Sequence, residues 1–145
     1  MKSVLHLRMQ APTERVFALA AEVERWPERL PHYRYVRRLP DPAGERRFAM
    51  GARRGFIPVR WEAIQRPRPA DGIIEFEHTG GVTRGMAVAW RLQAEPDGVE
   101  VSIEHQLSPR WPLAGAVIGN FIEAIAARTL RRVKELAEAG TGVAE

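Results

Sequence analysis

The 145-residue chain contains no cysteine. Disulfides, thiol nucleophiles and thiolate metal sites are excluded together. Lysine is nearly absent too: Lys2 and Lys134 are the only two, so the net charge of +4 is carried by arginine. Arginine favours planar, bidentate partners, which points to surface ladders with glutamate; the same bias is also a mark of GC-rich genomes. No apolar run reaches membrane-spanning length. Met1 to Arg8 alternates in polarity, unlike the unbroken apolar centre of a signal peptide. A cytoplasmic, reduced setting is therefore expected. No His-x-x-x-His spacing occurs, and neither a metal nor a cofactor is expected. The basic excess is small and lacks an aromatic-studded stripe, which argues against nucleic acid. Transient contact with an anionic membrane surface or an acidic protein fits it better.

What is present is ordinary for a folded chain, at 45% apolar and 28% charged residues. The length suits one domain over 1–140, followed by a frayed tail at 141–145. Lys2 to Met9 alternates as a first strand, and Pro12 or Thr13 opens a helix striped by Val16, Phe17, Ala20 and Val23. Glu24 to Pro31, bounded by prolines, reads as a second short helix.

Strands follow at Tyr33–Leu39, Arg47–Arg54, Ile57–Gln65, Ile73–His78, Arg84–Gln93 and Val99–Leu107, each closed by Gly, Pro or Asp. Connections this short imply antiparallel pairing. From Pro112 to about Ala139 the period becomes helical, through Ile118, Phe121, Ile125, Thr129, Val133 and Leu136. Pro112 to Ile122 contains no charge, so that end must be buried all round. The fold class is α+β: a curved antiparallel sheet of six or seven strands with two short helices before it and a long helix after it.

Parity in the late strands assigns the dry face. Ile74, Phe76 and His78 share it with Met86, Val88, Trp90 and Leu92, and with Val99, Val101, Ile103, His105 and Leu107. Glu75, Glu77, Arg91, Glu100 and Glu104 take the wet side, with Arg47, Arg53, Arg60, Glu62 and Arg66. In the middle strands Phe48, Met50, Ala52, Arg54, Ile57, Val59, Trp61 and Ala63 point inward. The second strand conflicts with itself, placing Tyr33, Tyr35 and Leu39 on one side and Val36 on the other. This inward set mixes aromatics with His78, His105 and Arg54, where a solid core would hold aliphatics. Buried polar groups need partners, and a cavity admitting a ligand would provide them.

The order of elements, with Ala11-Pro12-Thr13-Glu14-Arg15-Val16-Phe17, then Val23-Glu24-Arg25-Trp26-Pro27-Glu28-Arg29-Leu30-Pro31, and late Gly85-Met86-Ala87-Val88-Ala89-Trp90, resembles the helix-grip fold of the START-like superfamily. The match is to its polyketide cyclase/dehydrase and lipid-transport group, and is also similar to the coenzyme-Q-binding subgroup. The resemblance implies a deep cavity between sheet and long helix, used by members for lipids, quinones, steroids or polyketide chains. Enzymatic members orient a polyketone with a pocket arginine, tyrosine and tryptophan. Here the step inward from Trp61 gives Ala63 and Gln65 and no arginine, a departure from the cyclase pattern.

The candidate ligand-contact residues are Tyr35, Arg54, Trp61, Phe76, His78, Arg84, Met86, Trp90, His105, Asn120 and Phe121. Trp61 and Trp90 offer large apolar area with one donor each. His78 and His105 can exchange a proton near neutrality or simply pack. Arg54 and Arg84, beside Gly55 and Gly85, could hold a carboxylate or an enolate oxygen at the mouth, or flank a turn. Asn120 is the lone polar residue in the charge-free half of the helix. Trp26, before Pro27, reads as a structural cap on the core. The glycine-rich Thr79 to Gly85 opens no helix and is a hairpin, not a phosphate cradle. Three functions fit: a carrier of a small hydrophobic molecule, which leads; a cyclase or dehydratase using the same pocket; and a partner-directed module.

Overall fold

A computed structural model describes residues 2–106 and 115–141, with side chains at 119–139 in the final segment. Leu107, the helix start at Pro112, the side chain of Ile118 and the tail beyond Thr141 lie outside the described residues. Strand β1 (Lys2–Met9) leads into α1 (Thr13–Ala21), a short 3-10 turn at Val23–Arg25, and α2 (Trp26–Arg29). Six strands follow: β2 (Tyr33–Leu39), β3 (Arg46–Arg54), β4 (Ile57–Arg68), β5 (Ile73–Gly81), β6 (Ala87–Glu95) and β7 (Gly98–Gln106). Helix α3 (Gly115–Thr141) closes the order.

All seven strands form one antiparallel sheet in the order β1-β7-β6-β5-β4-β3-β2. Only β1 departs from a simple meander: it pairs with β7 at one edge, and α1 and α2 carry the chain to the opposite edge at β2. Helix α3 packs on β1, β3 and α1. Its C-terminal half is pinned by polar ties. Arg132 Nε donates to Arg29 O at 3.0 Å, and Glu138 Oε2 accepts from the Gln10 backbone N–H at 2.9 Å.

Three strand limits differ by three residues from the sequence pattern. β4 runs through Pro67 to Arg68. Its ladder with β3 ends at Arg46–Gln65, so Pro67 sits where β4 has a neighbour on one side only, the setting that tolerates a proline. β5 continues past His78 to Gly81, because a bulge opposite Glu62 and Ala63 absorbs one residue and lets Gly81 pair with Trp61. β6 begins at Ala87 and not at Arg84. Residues 81–86 form a tight loop held by Arg84 N to Gly81 O at 3.2 Å and Met86 N to Thr83 O at 3.0 Å. Gly81 makes this turn possible at φ +88°, where an added Cβ would lie 2.4 Å from Arg60 O.

The alternation of the late strands holds residue by residue. Ile74, Phe76, Met86, Val88, Trp90, Leu92, Val99, Val101 and Ile103 are all buried on the α3 side. Outside, Arg66 bridges Glu45 at 2.6 Å and Glu77 at 3.1 Å, and Arg68 meets Glu75 at 3.2 Å. These are the cross-strand arginine–glutamate pairs that the wet-face pattern calls for, each worth little alone.

Candidate functional site

Between the concave sheet face and α3 lies a cavity of about 710 Å³, within the usual range of ligand pockets. The sheet supplies Met50, Trp61, Phe76, Val88, Trp90 and Ile103, and α3 supplies Phe121, Ile122, Ile125, Ala126 and Thr129. Packing leaves this space because the large rings are spent on one another. Trp26 meets Tyr33 edge-on at 4.9 Å between centroids and tilts against Trp90 at 6.3 Å. Tyr33 meets Trp61 edge-on at 6.0 Å. The rings thus build a wall and do not fill the hollow.

Seven of the eleven sequence candidates line this space: Trp61, Phe76, His78, Met86, Trp90, His105 and Phe121. Four do not. Tyr35 faces the opposite side. A bulge between Tyr33 and Tyr35 sets Tyr33 opposite Ala52 but Tyr35 opposite Gly51, and the extra residue reverses the parity of the strand. The Tyr35 ring lies against Gly51, with the Arg37 guanidinium over the ring at 4.5 Å. Arg54, placed inward by parity, is exposed at the end of β3, its guanidinium 5.1 Å from the Phe121 ring. Arg84 is exposed in the 81–86 loop, and Asn120 is exposed on α3.

Tyr33, Trp26, Thr83 and Thr129 also line the cavity, though none is among the sequence candidates. Trp26 does cap the core, since its Nε1 donates to Leu19 O at 3.0 Å, but its ring also faces the hollow. Tyr33 had a signal. Tyr33 and Val36 can share the inner face only if the strand carries an extra residue, and their conflicting parity marks that bulge.

Apart from Arg60, which is exposed at the edge, the polar side chains described in the site are few and mostly buried. His78 Nδ1 lies 2.6 Å from Thr83 Oγ1, and its ring stacks on Trp61 at 5.8 Å with 14° between planes. Burial, helped by His105 nearby, lowers its pKa to about 3. His105 pairs in register with Val88 on one side and Ser3 on the other. Burial lowers its pKa to about 4, with Glu123 opposing. Its Nδ1 is buried without a hydrogen-bond partner among the described residues. Both rings are neutral at pH 7. Beneath the wall, His32 Nε2 lies 2.8 Å from Thr129 Oγ1, and that hydroxyl donates to Ile125 O at 2.9 Å. With its one proton so used, Thr129 accepts, and His32 carries its hydrogen on Nε2. Burial also holds the Tyr33 phenol protonated, above its ordinary range, with Thr129 opposing.

The inward step along β4 from Trp61 to Ala63 and Gln65 contains no arginine, as its sequence indicates. Gln65 is buried and structural: its amide donates to Ala21 O at 2.8 Å, and its carbonyl accepts from Arg46 Nε at 2.8 Å. An apolar hollow with neutral imidazoles, hydroxyls and one phenol can hold a greasy molecule and address one or two of its oxygens. Among the described residues it offers no buried cation to stabilise an enolate, since Arg60, which lines its edge, is exposed.

Comparison with known proteins agrees with this geometry. The family model described as polyketide cyclase / dehydrase and lipid transport matches residues 9–134. The chain is 29% identical over 138 residues to the actinorhodin polyketide synthase bifunctional cyclase/dehydratase of Streptomyces coelicolor, covering 93% of this chain and 44% of that protein. It thus spans less than half the length of the curated relatives it matches. The Zhui aromatase/cyclase from Streptomyces sp. R1128 superposes with a TM-score of 0.80 at 16% identity, over 95% of this chain and 93% of that one. A START superfamily protein from Mycobacterium smegmatis superposes with a TM-score of 0.77 at 11% identity, over 95% and 97%. At such identities the two structures speak to the fold alone. The sequence match over most of the chain carries the conclusion: this protein belongs to the polyketide cyclase/dehydrase and lipid transport family, built on the START-like helix-grip fold.

Proposed function

We propose that the protein binds a small hydrophobic molecule, polyketide-like, lipid or quinone, in the cavity between sheet and α3. The observation that carries this reading is the 710 Å³ hollow walled by Trp26, Trp61, Phe76, Trp90 and Phe121. Filling such a space with apolar matter gains about 25 cal/mol for each Å² removed from water. The guest also carries an oxygen. The Nδ1 of His105, without a partner among the described residues, costs the empty fold roughly 1–3 kcal/mol. A hydroxyl or carbonyl of the guest supplies the missing partner once the imidazole turns about its Cβ–Cγ bond.

Native mass spectrometry of protein purified from its own host tests this. One retained apolar molecule per chain, released on denaturation, is the expected result. Protein that is always empty, and that also refuses fatty acids, quinones and aromatic polyketides offered in excess, contradicts it.

A second reading, turnover of a poly-β-ketone by cyclisation or dehydration, is favoured by the 29% identity to bifunctional cyclase/dehydratases across 93% of the chain. In that case the cavity holds the chain folded so that proximity supplies most of the rate, and a neutral His105 or His78 removes the proton between the ketones. Conversion of a poly-β-ketone analogue that disappears in His105→Phe and persists in Tyr35→Phe would support it. Binding without conversion would leave the carrier reading alone.

A further inference from the structure

Two chain turns border the cavity, and both carry bare apolar side chains. The β3–β4 turn presents Phe56, 101% exposed, and Ile57, 51% exposed; the β5–β6 loop presents Val82, 57% exposed. One exposed apolar residue is ordinary, but three on two turns that border the same cavity form a patch of the kind that marks an interaction site. Ile57 and Val82 also line the cavity, which makes these tips its rim.

The charges on these two turns and the strands beside them have one sign. The stretches from Arg46 to Trp61 and from His78 to Ala94 contain no Asp or Glu, and the nearest acid along β4 is Glu62 on the outer face. Arg53 and Arg54 precede the first tip, Arg60 follows it, and Arg84 sits in the second; all four are exposed. None makes an ion pair among the described residues, although arginines elsewhere on the sheet, such as Arg66 and Arg68, do. Among the described residues Arg54 is held by the Phe121 ring alone.

We infer that the cavity mouth docks on an anionic lipid surface, with Phe56, Ile57 and Val82 inserted at the headgroup–acyl boundary and the rim arginines on lipid phosphates. A protruding apolar tip with a cationic collar matches the layered chemistry of such a surface. An acidic protein would meet the arginines but leave Phe56 in water. Among the described residues no helix is long and apolar enough to cross a membrane, so the contact is peripheral. The consequence is direct: an apolar guest passes between bilayer and cavity without crossing water. The exchange role rests on the ligand-binding reading above; the docking itself does not.

Co-sedimentation of the whole protein with vesicles tests it, using phosphatidylcholine alone and phosphatidylcholine mixed with phosphatidylglycerol. Binding to the mixed vesicles only, weakened by salt, is expected. Phe56→Asp should cut the partition coefficient by more than about tenfold. Arg53→Glu with Arg84→Glu should cut it by at least about fivefold for each site. These residues are exposed, so unchanged circular dichroism will show that the variants fold. No binding to the mixed vesicles at low salt, or equal binding by Phe56→Asp, overturns the inference. Retention on polyglutamate but not on vesicles overturns it in favour of an acidic protein. A soluble apolar fluorophore titrated in parallel separates the two ideas. Fluorophore binding without vesicle binding sinks the docking alone, and vesicle binding without fluorophore binding sinks the cavity reading alone.

Discussion

The imidazole of His78 lies nearly parallel to the indole of Trp61, centroids 5.8 Å apart, while Thr83 fixes its Nδ1 from the next loop at 2.6 Å. The stack and the hydrogen bond together lock one polar corner in an apolar wall. They also couple the 81–86 loop to the cavity, since that loop delivers Thr83. Thr83→Val keeps the shape but leaves His78 Nδ1 unpaired, which should cost about 1–3 kcal/mol in urea unfolding. Thr83→Ser should restore most of it. Equal stability of all three proteins would show that the contact contributes nothing.

Three buried histidines predict an acid-sensitive fold. His32 and His105 have pKa values lowered to about 4 and His78 to about 3, in each case first by burial. Unfolded, each titrates near 6.5. Between pH 6.5 and 4 the unfolded chain therefore binds more protons than the native one, and stability rises with pH. Each histidine adds up to about 1.4 kcal/mol per pH unit to that slope. Urea midpoints should fall steadily from pH 7 to pH 5, and His78→Phe should flatten the fall. A midpoint that stays level over this range contradicts the neutral assignment.

Gly51 and Tyr35 test the bulge in β2. A Cβ at position 51 would sit 2.3 Å from Tyr35 Cε2, so Gly51→Ala must push the ring off the sheet, at a cost of roughly 1–3 kcal/mol. In a Tyr35→Ala background the same change should cost far less. Additive effects in this double-mutant cycle would mean the two do not touch. Tyr35→Phe should leave ligand affinity unchanged, whereas Tyr33→Ala should weaken it.

The fold was legible because its strands alternate so regularly. In β5, β6 and β7 the inward set from Ile74 to His105 follows from parity alone, and with it Phe76, His78, Trp90 and His105 as cavity residues. Parity fails where the backbone departs from period two. One bulged residue sends Tyr33 inward and Tyr35 outward, and nothing local in Tyr33-Arg34-Tyr35 fixes which of the two turns in. Arg54 and Arg84 fail differently: at strand ends the pleat no longer dictates direction, and a long charged side chain turns to water. Asn120 is one polar residue among apolar neighbours, and helix periodicity alone did not reveal that it lies outside. Trp26, Thr83 and Thr129 come from a helix, a loop and the far helix; their convergence is a tertiary fact that no single segment encodes.

His105 offers a sharper test of the guest's chemistry. Replacing it by Phe removes the Nδ1 that has no partner among the described residues and keeps a flat ring, so stability should hold or rise by about 1 kcal/mol. Affinity for a hydroxylated or keto-bearing aromatic should drop by about fivefold to tenfold, the worth of one neutral hydrogen bond. Affinity for the parent hydrocarbon should not. Isothermal titration with the two ligands checks this; equal losses for both would mean that His105 contributes shape only.

The hollow itself is most directly tested at Val88, which faces it from β6 opposite His105. Titration of an apolar fluorophore should saturate at one site per chain in the native protein. In Val88→Trp the added ring should occupy the void, weakening that binding by more than about tenfold while the melting temperature stays within a few degrees, because empty space accommodates volume that a packed core rejects. Undiminished binding by Val88→Trp, or no saturable binding by the native chain, would contradict the account.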